Sequence, residues 1–313
     1  MVVPLFNCLP LTQAMLASLQ ATLPAEQSHE IILVDDGSTD GTREWLATLK
    51  PPCRVVLNER NLGYAAANNR GAAVATGQFL LLLNNDLVLR PRWLEPMLAA
   101  HAHLGRRAGL VGNVQLAAAD GTRDHTGIFI NAKGKPEHDR SLPLRAFLPH
   151  PFSVRLVPAV TGACLMVERA LFLAHQGFSE DFLNGCEDVD LAFRLARAGR
   201  VHAVALPSVV FHHISASPGR KRRDELNTYR LARRWRDALA HHATRAWCWW
   251  HLQRDWTSPT GSSGALEAAD ELAYALHLRR HAPASAVAGA YAAIDYELAR
   301  WESMFGDSAS PPG

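Results

Sequence analysis

Two adjacent carboxylates, Asp35 and Asp36, close an apolar run over residues 31–34 and lead into the small residues of the sequence GSTDG. A carboxylate pair at a strand end can hold a polar ligand together with the backbone N–H groups of a following helix. Capping of that helix by Ser38 or Asp40 is the alternative interpretation, and it explains one acidic residue. It hardly explains two acids side by side, so the pair is a candidate ligand site.

A second polar cluster, Asn84-Asn85-Asp86, follows the apolar residues 80–83. Mg²⁺ and Mn²⁺ prefer oxygen ligands and commonly complete their coordination with substrate phosphates. Asp86 is the only carboxylate of the cluster, so a diphosphate would have to help it to fix a metal ion tightly. The cluster therefore predicts a metal site shared with a phosphorylated substrate, and a solvated turn is the alternative.

The acidic sequence EDVD opens a predicted helix over residues 187–199 that ends at a glycine. The helix dipole favours carboxylates in a first turn, and this effect alone accounts for Asp190. A carboxylate at a helix start above a pocket can also act as the general base for a substrate hydroxyl. Glu187 and Asp188 are therefore candidate catalytic residues.

A histidine pair, His212 and His213, follows the apolar residues 209–211. A lone histidine is more often structural than a metal ligand. A pair at a strand end, in a chain with a predicted metal site, makes metal ligation a candidate role.

Short, continuously apolar runs alternate with helical patterns through the first half of the chain, and these elements must position the polar clusters. The alternation is typical of an α/β fold with a doubly wound, mostly parallel sheet covered by helices on both faces. Ligands of such sheets bind at the carboxyl ends of the strands, where the acidic clusters lie. Strands are predicted at residues 2–6, 31–34, 55–57 and 79–83, and helices at residues 12–23, 42–49 and 64–75.

The amino-acid composition changes in the last third of the chain. A strongly basic stretch at residues 220–236 is followed by the linker-like sequence TSPTGSSG at residues 257–264. Two helical patterns follow, and the apolar stripe of the second would pack on the first domain or on a dimer partner. The predicted division is a domain over residues 1–217 and a helical C-terminal extension over residues 218–313.

The composition argues against several classes of protein. Hydrophobic residues make up 48% of the 313 residues. The formal net charge is only +2, so the overall electrostatic field does not favour binding to nucleic acid. The five cysteines form no CxxC pair, which argues against a disulfide framework or a zinc knuckle. The first residues, MVVPLFNCLP, do not resemble a signal peptide, and no apolar run approaches the roughly 18 residues of a membrane span. We expect a cytoplasmic protein that is soluble or at most peripheral at the inner membrane face.

Together these segments resemble the family 2 glycosyltransferases, which have the GT-A fold. The similarity is close to the bacterial rhamnosyltransferase-like branch that builds surface polysaccharides. The segment Asp124-His125-Thr126-Gly127 is also similar to a recurrent piece of this branch, and all segments occur in the family's order. The matching stretches are VPLFN (3–7), ILVDDGSTDGT (32–42), NLGYAAANNRGAAVATGQFLLLLNNDLVL (61–89), TGACLMVERALF (161–172), GFSEDFLNGCEDVDLAFRLARAG (177–199) and VVFHHISAS (209–217).

The resemblance assigns roles to the acidic residues. Asp36 would hold the uracil or thymine edge of a nucleotide-sugar donor. Asp188 would be the catalytic base, with Glu187 beside the acceptor. Asp86 would bind the metal ion and the donor diphosphate, with His212 approaching from the opposite side. The other assigned residues are Pro4, Phe6, Asn7, Asn69, Asn84, Asn85, Thr161 and Gly162 in the donor and acceptor pocket, and His213 as a second metal candidate.

The activity that the resemblance implies is an inverting transfer of a sugar from dTDP-rhamnose or a UDP-sugar to a hydroxyl of a glycan or a lipid-linked acceptor. Mn²⁺ or Mg²⁺ is the implied cofactor, and cell-surface polysaccharide synthesis is the implied process. Asn84 departs from the family, because it stands where the family's DxD motif has its first acid. This departure would make metal binding weaker and more dependent on the donor.

Two other functions fit parts of the sequence. A non-catalytic nucleotide-sugar binding module in a glycan assembly complex is the main alternative, although Asp36, Asp86 and Asp188 are all present. A phosphoacceptor receiver domain would explain the acidic pair, but neither the EDVD segment nor the HHIS segment. The basic stretch and the sequence WCWW at residues 247–250 could also touch a membrane surface or a lipid diphosphate, with a solvated helix face as the alternative.

Overall fold

The computed structural model describes residues 1–24, 26–151, 153–213, 220–257 and 264–306. The chain divides into two compact units, of which the first comprises Met1–Ile128 and His138–Arg220 and the second comprises Phe129–Glu137 and Lys221–Gly313. The excursion of residues 129–137 into the second unit is not part of the predicted division. The predicted boundary between residues 217 and 218 lies outside the described residues and stays a prediction.

Strands and helices alternate through the first half of the chain, as the apolar runs predict. The strands are β1 (Val2–Leu5), β2 (Ile31–Asp35), β3 (Cys53–Leu57), β4 (Phe79–Leu83), β5 (Leu87–Val88), β6 (Ala108–Ala117), β7 (Arg123–His125), β8 (Ile128–Ile130), β9 (Pro136–His138), β10 (Val154–Val157), β11 (Cys164–Glu168) and β12 (Val201–His212). The helices up to residue 197 are α1 (Leu9–Thr22), α2 (Thr42–Leu46), α3 (Tyr64–Val74), α4 (Glu95–Leu104), α5 (Arg169–Ala174) and α6 (Glu187–Arg197).

A ten-stranded sheet forms the centre of the first unit, and its main path runs β10-β12-β6-β11-β4-β1-β2-β3. Neighbouring strands are parallel within β4-β1-β2-β3 and within β12-β6. Strand β11 lies between these two sets and is antiparallel to both of its neighbours, and β10 is antiparallel to β12. The predicted doubly wound, mostly parallel α/β sheet is confirmed, and the antiparallel β11 is a feature that the apolar pattern did not predict.

The register of the sheet brings several strand ends to one edge. Leu5, the last residue of β1, pairs with Asp35, the last residue of β2. Leu83, the last residue of β4, pairs with Cys164, the first residue of β11. This edge therefore collects the ends of β1, β2 and β4 and the start of β11, which are the places where the predicted site residues lie.

Small residues let α3 approach the sheet closely. A Cβ atom on Gly71 of this helix would lie 2.3 Å from Val2 Cγ1 and 3.0 Å from Val34 Cγ2. A larger residue at this position would push the helix away from β1 and β2, because cores tolerate added volume poorly. The close packing fixes the start of α3, which lies beside the acidic residues of β2.

The second unit is helical, with α7 (Arg220–Thr257), α8 (Ala265–Ala275) and α9 (Ala284–Phe305). Ion pairs hold the excursion 129–137 to these helices, since Glu225 lies 3.0 Å from both Lys135 Nζ and Arg300 Nη2. Burial opposes ionisation of Glu225, but hydrogen bonds from Trp301, Lys135 and Arg300 lower its pKa to about 2. Glu225 is therefore negatively charged at neutral pH, and its ion pair with Lys135 holds residues 129–137 to α7.

The tryptophans at residues 247–250 differ in exposure. Trp247 is buried and stacks on His251 with ring centroids 4.5 Å apart, whereas Trp249 and Trp250 are 41% and 42% exposed. Ile294 of the predicted apolar stripe on α9 is buried. Within the ranges that the structure describes, no helix is both long enough and apolar enough to cross a bilayer. Membrane contact through this region stays a prediction.

Candidate active site

Asp35, the first acid of the pair at the end of β2, is buried and held by protein donors. It accepts hydrogen bonds from Arg43 Nε at 2.7 Å and from the backbone N of Ser38 at 3.2 Å. These contacts fix the turn between β2 and α2. The structural interpretation of an acid at this turn therefore accounts for Asp35.

Asp36, the second acid, is 4% exposed and holds the start of α3. Its Oδ1 accepts a hydrogen bond from Asn58 Nδ2 at 2.7 Å, and its Oδ2 accepts one from Gly63 N at 2.8 Å. The backbone N of Leu62 lies 3.0 Å from both oxygens. Asp36 thus orders the chain before α3, and its contact with a nucleobase stays a prediction.

The end of β1 lies beside this pair. The backbone N of Asn7 donates to Ser38 Oγ at 2.8 Å, and Thr39 N donates to Asn7 Oδ1 at 2.8 Å, so Asn7 builds the turn after β2. Pro4 is buried within β1. Phe6 is 49% exposed, and a large aromatic ring exposed at a strand end offers a face for stacking.

Asp86 and His212 face each other where β5 pairs with β12. Asp86 Oδ1 lies 3.1 Å from His212 Nε2, but the two atoms do not have hydrogen-bond geometry. Asp86 Oδ1, His212 Nδ1 and Asn84 Oδ1 are three of the ten buried side-chain atoms of the described residues that have no hydrogen-bond partner. A carboxylate oxygen and an imidazole nitrogen that face each other without a hydrogen bond, as Asp86 Oδ1 and His212 Nε2 do, fit a divalent cation as a shared partner.

The protein supplies few ligands to such a cation. The described residues contain no group of three or more His, Cys, Asp and Glu side chains that could hold a metal ion. A site on Asp86, His212 and Asn84 would therefore need ligand oxygens, as Mg²⁺ sites with substrate phosphates do. His213 is less suited than His212, because its ring is exposed and its contact with Asp86 is a backbone hydrogen bond of 3.0 Å.

Two of the predicted pocket amides hold loops instead of lining open space. Asn69 Nδ2 donates to Phe178 O at 2.9 Å, and Asn69 Oδ1 accepts from Phe178 N at 2.9 Å. Asn85 Nδ2 donates to Thr12 Oγ1 of α1 at 2.9 Å. Their contact with a donor stays a prediction, and their observed contacts are structural.

Asp188 lies at the start of α6, where two backbone donors fix its carboxylate. Its Oδ2 accepts a hydrogen bond from Gly162 N at 2.7 Å, and its Oδ1 accepts one from Val189 N at 2.8 Å. Thr161, the residue before Gly162, accepts a hydrogen bond from Ala163 N at 3.3 Å. Of the two predicted residues, Gly162 therefore lies directly beside the predicted base, and Thr161 precedes it in the chain.

Tyr64, which no sequence motif singles out, contacts the same glycine. Its hydroxyl donates to Gly162 O at 2.7 Å, and its backbone N donates to Asn184 Oδ1 at 2.9 Å. Tyr64 is the first residue of α3 and directly follows Gly63, which donates to Asp36. Hydrogen bonds thus connect the surroundings of Asp36 with those of Asp188.

Burial changes the acidity of the two carboxyls at the start of α6. Burial, followed by the charge of Asp188, raises the pKa of Glu187 to about 8. Burial also raises the pKa of Asp188 above its ordinary value, against the lowering effect of the N–H groups of Gly162 and Val189. At neutral pH, Glu187 therefore keeps its proton.

The raised pKa of Glu187 predicts how stability depends on pH. Because the folded protein holds this proton up to about pH 8 and the unfolded chain releases it near the usual pKa of 4.5, this group makes the free energy of unfolding fall as pH rises between these values. Glu187→Gln should remove that fall, which is on the order of a few kcal/mol. Thermal melting at pH 5.5 and pH 8.5 measures it, with the exposed Glu44→Gln as control. Parallel pH profiles for both variants and the wild type would show that Glu187 is ionised in the folded state.

Two histidines, His125 and His138, lie near His212, and His138 also lies near Asp188. The rings of His125 and His138 meet edge to face with centroids 4.8 Å apart. Burial lowers the pKa of His125 well below 6.5, and the charges of His138 and His212 lower it further. The charge of His138 also lowers the pKa of Asp188. The DHTG segment was a sequence signal for His125, whereas nothing in the sequence pointed to His138.

Hydrogen bonds connect Asp36 with the predicted base through residues 63, 64 and 162. That Asp86 and His212 share one cleft with these two acids stays a prediction. Two cavities, of about 410 Å³ and about 330 Å³, lie elsewhere in this unit and are lined by residues between 90 and 99, 148 and 154, and 205 and 209. None of the predicted site residues lines either cavity. The arrangement of the acids therefore marks the candidate site, and these cavities do not.

The family assignment agrees with this arrangement. The model of the family described as "Glycosyl transferase family 2" matches residues 1–172, more than half of the chain. The chain belongs to glycosyl transferase family 2. The family that the ordered segments predicted is confirmed.

Relatives of this family 2 glycosyltransferase include bacterial proteins. The N-acetylglucosaminyl-diphospho-decaprenol L-rhamnosyltransferase of Mycobacterium tuberculosis is 29% identical, over 79% of this chain and 85% of its own length. The O-antigen biosynthesis protein RfbC of Myxococcus xanthus is 31% identical over 60% of this chain. The uncharacterized protein y4gI of Sinorhizobium fredii is 32% identical over 61% of this chain. This chain spans only 15% of RfbC and 22% of y4gI. The similarity to the rhamnosyltransferase-like branch is confirmed.

Solved structures show the same fold. GalNAc-T7 with UDP, GalNAc and Mn²⁺ superposes with a TM-score of 0.61 at 16% identity, over 86% of this chain and 53% of that one. The mannosyltransferase PcManGT from Pyrobaculum calidifontis, with GDP-Man and Mn²⁺, superposes with a TM-score of 0.55 at 21% identity, over 95% of this chain and 86% of that one. The predicted GT-A fold of this glycosyltransferase is confirmed.

Proposed function

We propose that this family 2 glycosyltransferase moves a sugar from a nucleoside-diphosphate donor to a hydroxyl group of a glycan or a lipid-linked acceptor, with inversion at the anomeric carbon. The observation that carries the proposal is the carboxylate of Asp188, fixed by Gly162 N and Val189 N beside a neutral Glu187. A base must hold its proton-accepting oxygen in one place, within reach of the proton that it removes. The two backbone donors fix the oxygens of Asp188 in this way.

The reaction is a single displacement. Asp188 takes the proton of the acceptor hydroxyl while that oxygen forms a bond to the anomeric carbon, and the bond from this carbon to the diphosphate breaks. Glu187, which is neutral at pH 7, can donate a hydrogen bond to another acceptor oxygen. Because the acceptor oxygen attacks from the face opposite the diphosphate, the configuration inverts.

The remaining site residues suit the donor. Phe6 offers an exposed ring at the end of β1 for a nucleobase, close to the turn that Asn7 and Asp36 order. Asp86, His212 and Asn84 would hold Mn²⁺ or Mg²⁺. Such an ion, when bound, supplies Lewis-acid stabilisation of a diphosphate leaving group. Both superposed structures contain Mn²⁺, which supports this choice of cofactor.

The names of the relatives guide the choice of donor and acceptor. One is a rhamnosyltransferase whose name includes a diphospho-decaprenol, and another is an O-antigen biosynthesis protein. We therefore place dTDP-rhamnose and UDP-sugars first as donors, lipid-linked glycans first as acceptors, and surface polysaccharide synthesis as the process.

A thermal-shift screen of nucleotide sugars with and without Mn²⁺ tests this proposal. We expect one donor to stabilise the protein only when the metal is present, because a ligand that binds the folded state alone raises the melting temperature. A donor at about 100 times its Kd should add about 2.7 kcal/mol. The same donor is then incubated with acceptor, and the released nucleoside diphosphate is measured. Binding without release or transfer would favour the non-catalytic binding module, and no stabilisation by any donor would contradict both functions.

A further inference from the structure

A continuous series of hydrogen bonds joins the two ends of the candidate site through the start of α3. Asp36 accepts from Gly63 N at 2.8 Å, and the next residue is Tyr64. The Tyr64 hydroxyl donates to Gly162 O at 2.7 Å, and Gly162 N donates to Asp188 Oδ2 at 2.7 Å. Gly162, whose N–H group contacts Asp188, is thus held at its carbonyl oxygen by the hydroxyl of Tyr64.

The contact between Tyr64 and Gly162 is tight. A Cβ atom on residue 162 would lie 3.1 Å from Tyr64 Oη and 3.2 Å from Tyr64 Cε1, closer than ordinary packing allows. The ring also packs against Phe178, with centroids 5.9 Å apart. The backbone of Tyr64 is fixed as well, because its N donates to Asn184 Oδ1 in the loop before α6. The hydroxyl therefore has one defined position.

We infer that Tyr64 is a positioning residue for Asp188: its hydroxyl fixes the backbone at Gly162, and this backbone aims the carboxylate at the acceptor hydroxyl. The inference rests on the proposed function, since it assumes that Asp188 is the base. The start of α3 also carries the donors to Asp36. One short segment, residues 62–64, thereby fixes both the acid at the donor end of the site and the base at the acceptor end.

The expected effect follows from the geometry of general-base catalysis. A base acts only within hydrogen-bond reach of the proton that it removes, and a misplacement of about 1 Å can cost about 10²-fold in rate. Tyr64→Phe keeps the ring and its packing but removes the donor to Gly162 O. We expect kcat to fall about 10-fold, because the backbone at Gly162 loosens without leaving its place. The apparent KM for the nucleotide sugar should change by less than about twofold, since no donor contact is lost.

The experiment compares wild type, Tyr64→Phe, Asp188→Asn and the double variant in transfer from the donor that the thermal-shift screen identifies. If Tyr64 acts through Asp188, its removal should lower kcat about 10-fold in the wild type and less than about twofold in the Asp188→Asn background. Tyr296→Phe, which removes the hydroxyl of a 72% exposed tyrosine on α9, is the matched control. Melting temperatures show whether each variant is folded.

The dependence of kcat/KM on pH gives a second measurement. The N–H group of Gly162 lowers the pKa of Asp188, so a weakened hydrogen bond should raise that pKa and move the acidic limb of the profile of Tyr64→Phe to higher pH. A purely structural tyrosine would lower the amount of active protein without moving this limb. Gly162→Ala, which places a methyl group against Tyr64, should reproduce both effects if Tyr64→Phe proves unstable.

Three outcomes are distinguishable. A kcat unchanged in Tyr64→Phe, or an equal loss in the wild-type and Asp188→Asn backgrounds, would overturn the inference while leaving the proposed function in place. A wild-type protein that transfers no sugar with any donor would overturn the proposed function first. A 10-fold loss that depends on Asp188 and shifts the acidic limb would establish Tyr64 as its positioning residue.

Discussion

Asp188→Asn is expected to lower kcat by about 10²–10⁴-fold, which is the range that general-base catalysis contributes. The amide cannot take a proton from the acceptor, but its oxygen can still accept the hydrogen bond from Gly162 N. The substitution keeps the size of the side chain and removes only its charge. The affinity for the nucleotide sugar should therefore stay within about twofold, because the base does not contact the donor in the proposed arrangement.

Single-turnover transfer and calorimetric donor binding separate the two effects of this substitution. Asp120→Asn, which changes an acid in the exposed turn between β6 and β7, is the control for loss of one negative charge. Glu187→Gln adds a second comparison. Because Glu187 is neutral at pH 7, a glutamine should replace it with a smaller loss than Asp188→Asn causes. Turnover near the wild-type value in Asp188→Asn would remove Asp188 from the role of base.

The sequence predicted the strands that carry the site because these strands have a local signal. Strands β1, β2 and β4 are short, wholly or almost wholly apolar and buried, and parallel strands in the middle of a sheet have this pattern. The rule that ligands bind at the carboxyl ends of such strands then pointed to Asp36 and Asp86. The GT-A fold could be predicted because the apolar strands indicate an α/β sheet and because the matching segments occur in the order of the family.

Contacts between distant residues had no such signal. The partners of Asp36 are Asn58, Leu62 and Gly63, more than twenty residues away, and their side-chain and backbone donors leave no mark in the sequence. The pairing of β11 between two sets of parallel strands, and the ion pairs between Lys135 and Glu225, depend on tertiary packing as well. Tyr64 is the clearest example, because its hydroxyl acts on a glycine that is 98 positions later in the chain.

The polar residues also show that residue type alone does not distinguish a structural amide from one that binds a ligand. Asn69 and Asn85 lie in matching segments, and both use their amides to hold loops or helices of the protein. An amide that clamps a loop and an amide that binds a sugar are equally polar in a sequence. Only the observed partners distinguish them, and the unpartnered oxygen of Asn84 is the contrasting case.

Asp86→Ala is expected to abolish the stabilisation that Mn²⁺ gives to the donor complex, and to lower kcat/KM by on the order of 10²–10³-fold. The loss of a metal-bound charge at the leaving group corresponds to several kcal/mol of transition-state stabilisation. The structural reason is the position of Asp86 Oδ1, which lies 3.1 Å from His212 Nε2. This oxygen is buried and has no hydrogen-bond partner among the described residues. Removing the carboxylate leaves the imidazole of His212 and the amide of Asn84 with too few ligands to hold a cation on a diphosphate.

Comparison of the two neighbouring histidines makes this prediction specific. His212→Ala should weaken Mn²⁺-dependent donor binding in the thermal-shift assay, whereas His213→Ala should have a much smaller effect, because the ring of His213 is exposed and its backbone N makes the contact with Asp86. The assay measures binding and needs no turnover, so it separates loss of the metal from loss of the base. Asp188→Asn should keep the metal-dependent stabilisation that Asp86→Ala loses. If transfer continues at the full rate in excess EDTA, then Asp86 does not act through a metal ion, and its pairing with His212 would serve the fold of β5 and β12 alone.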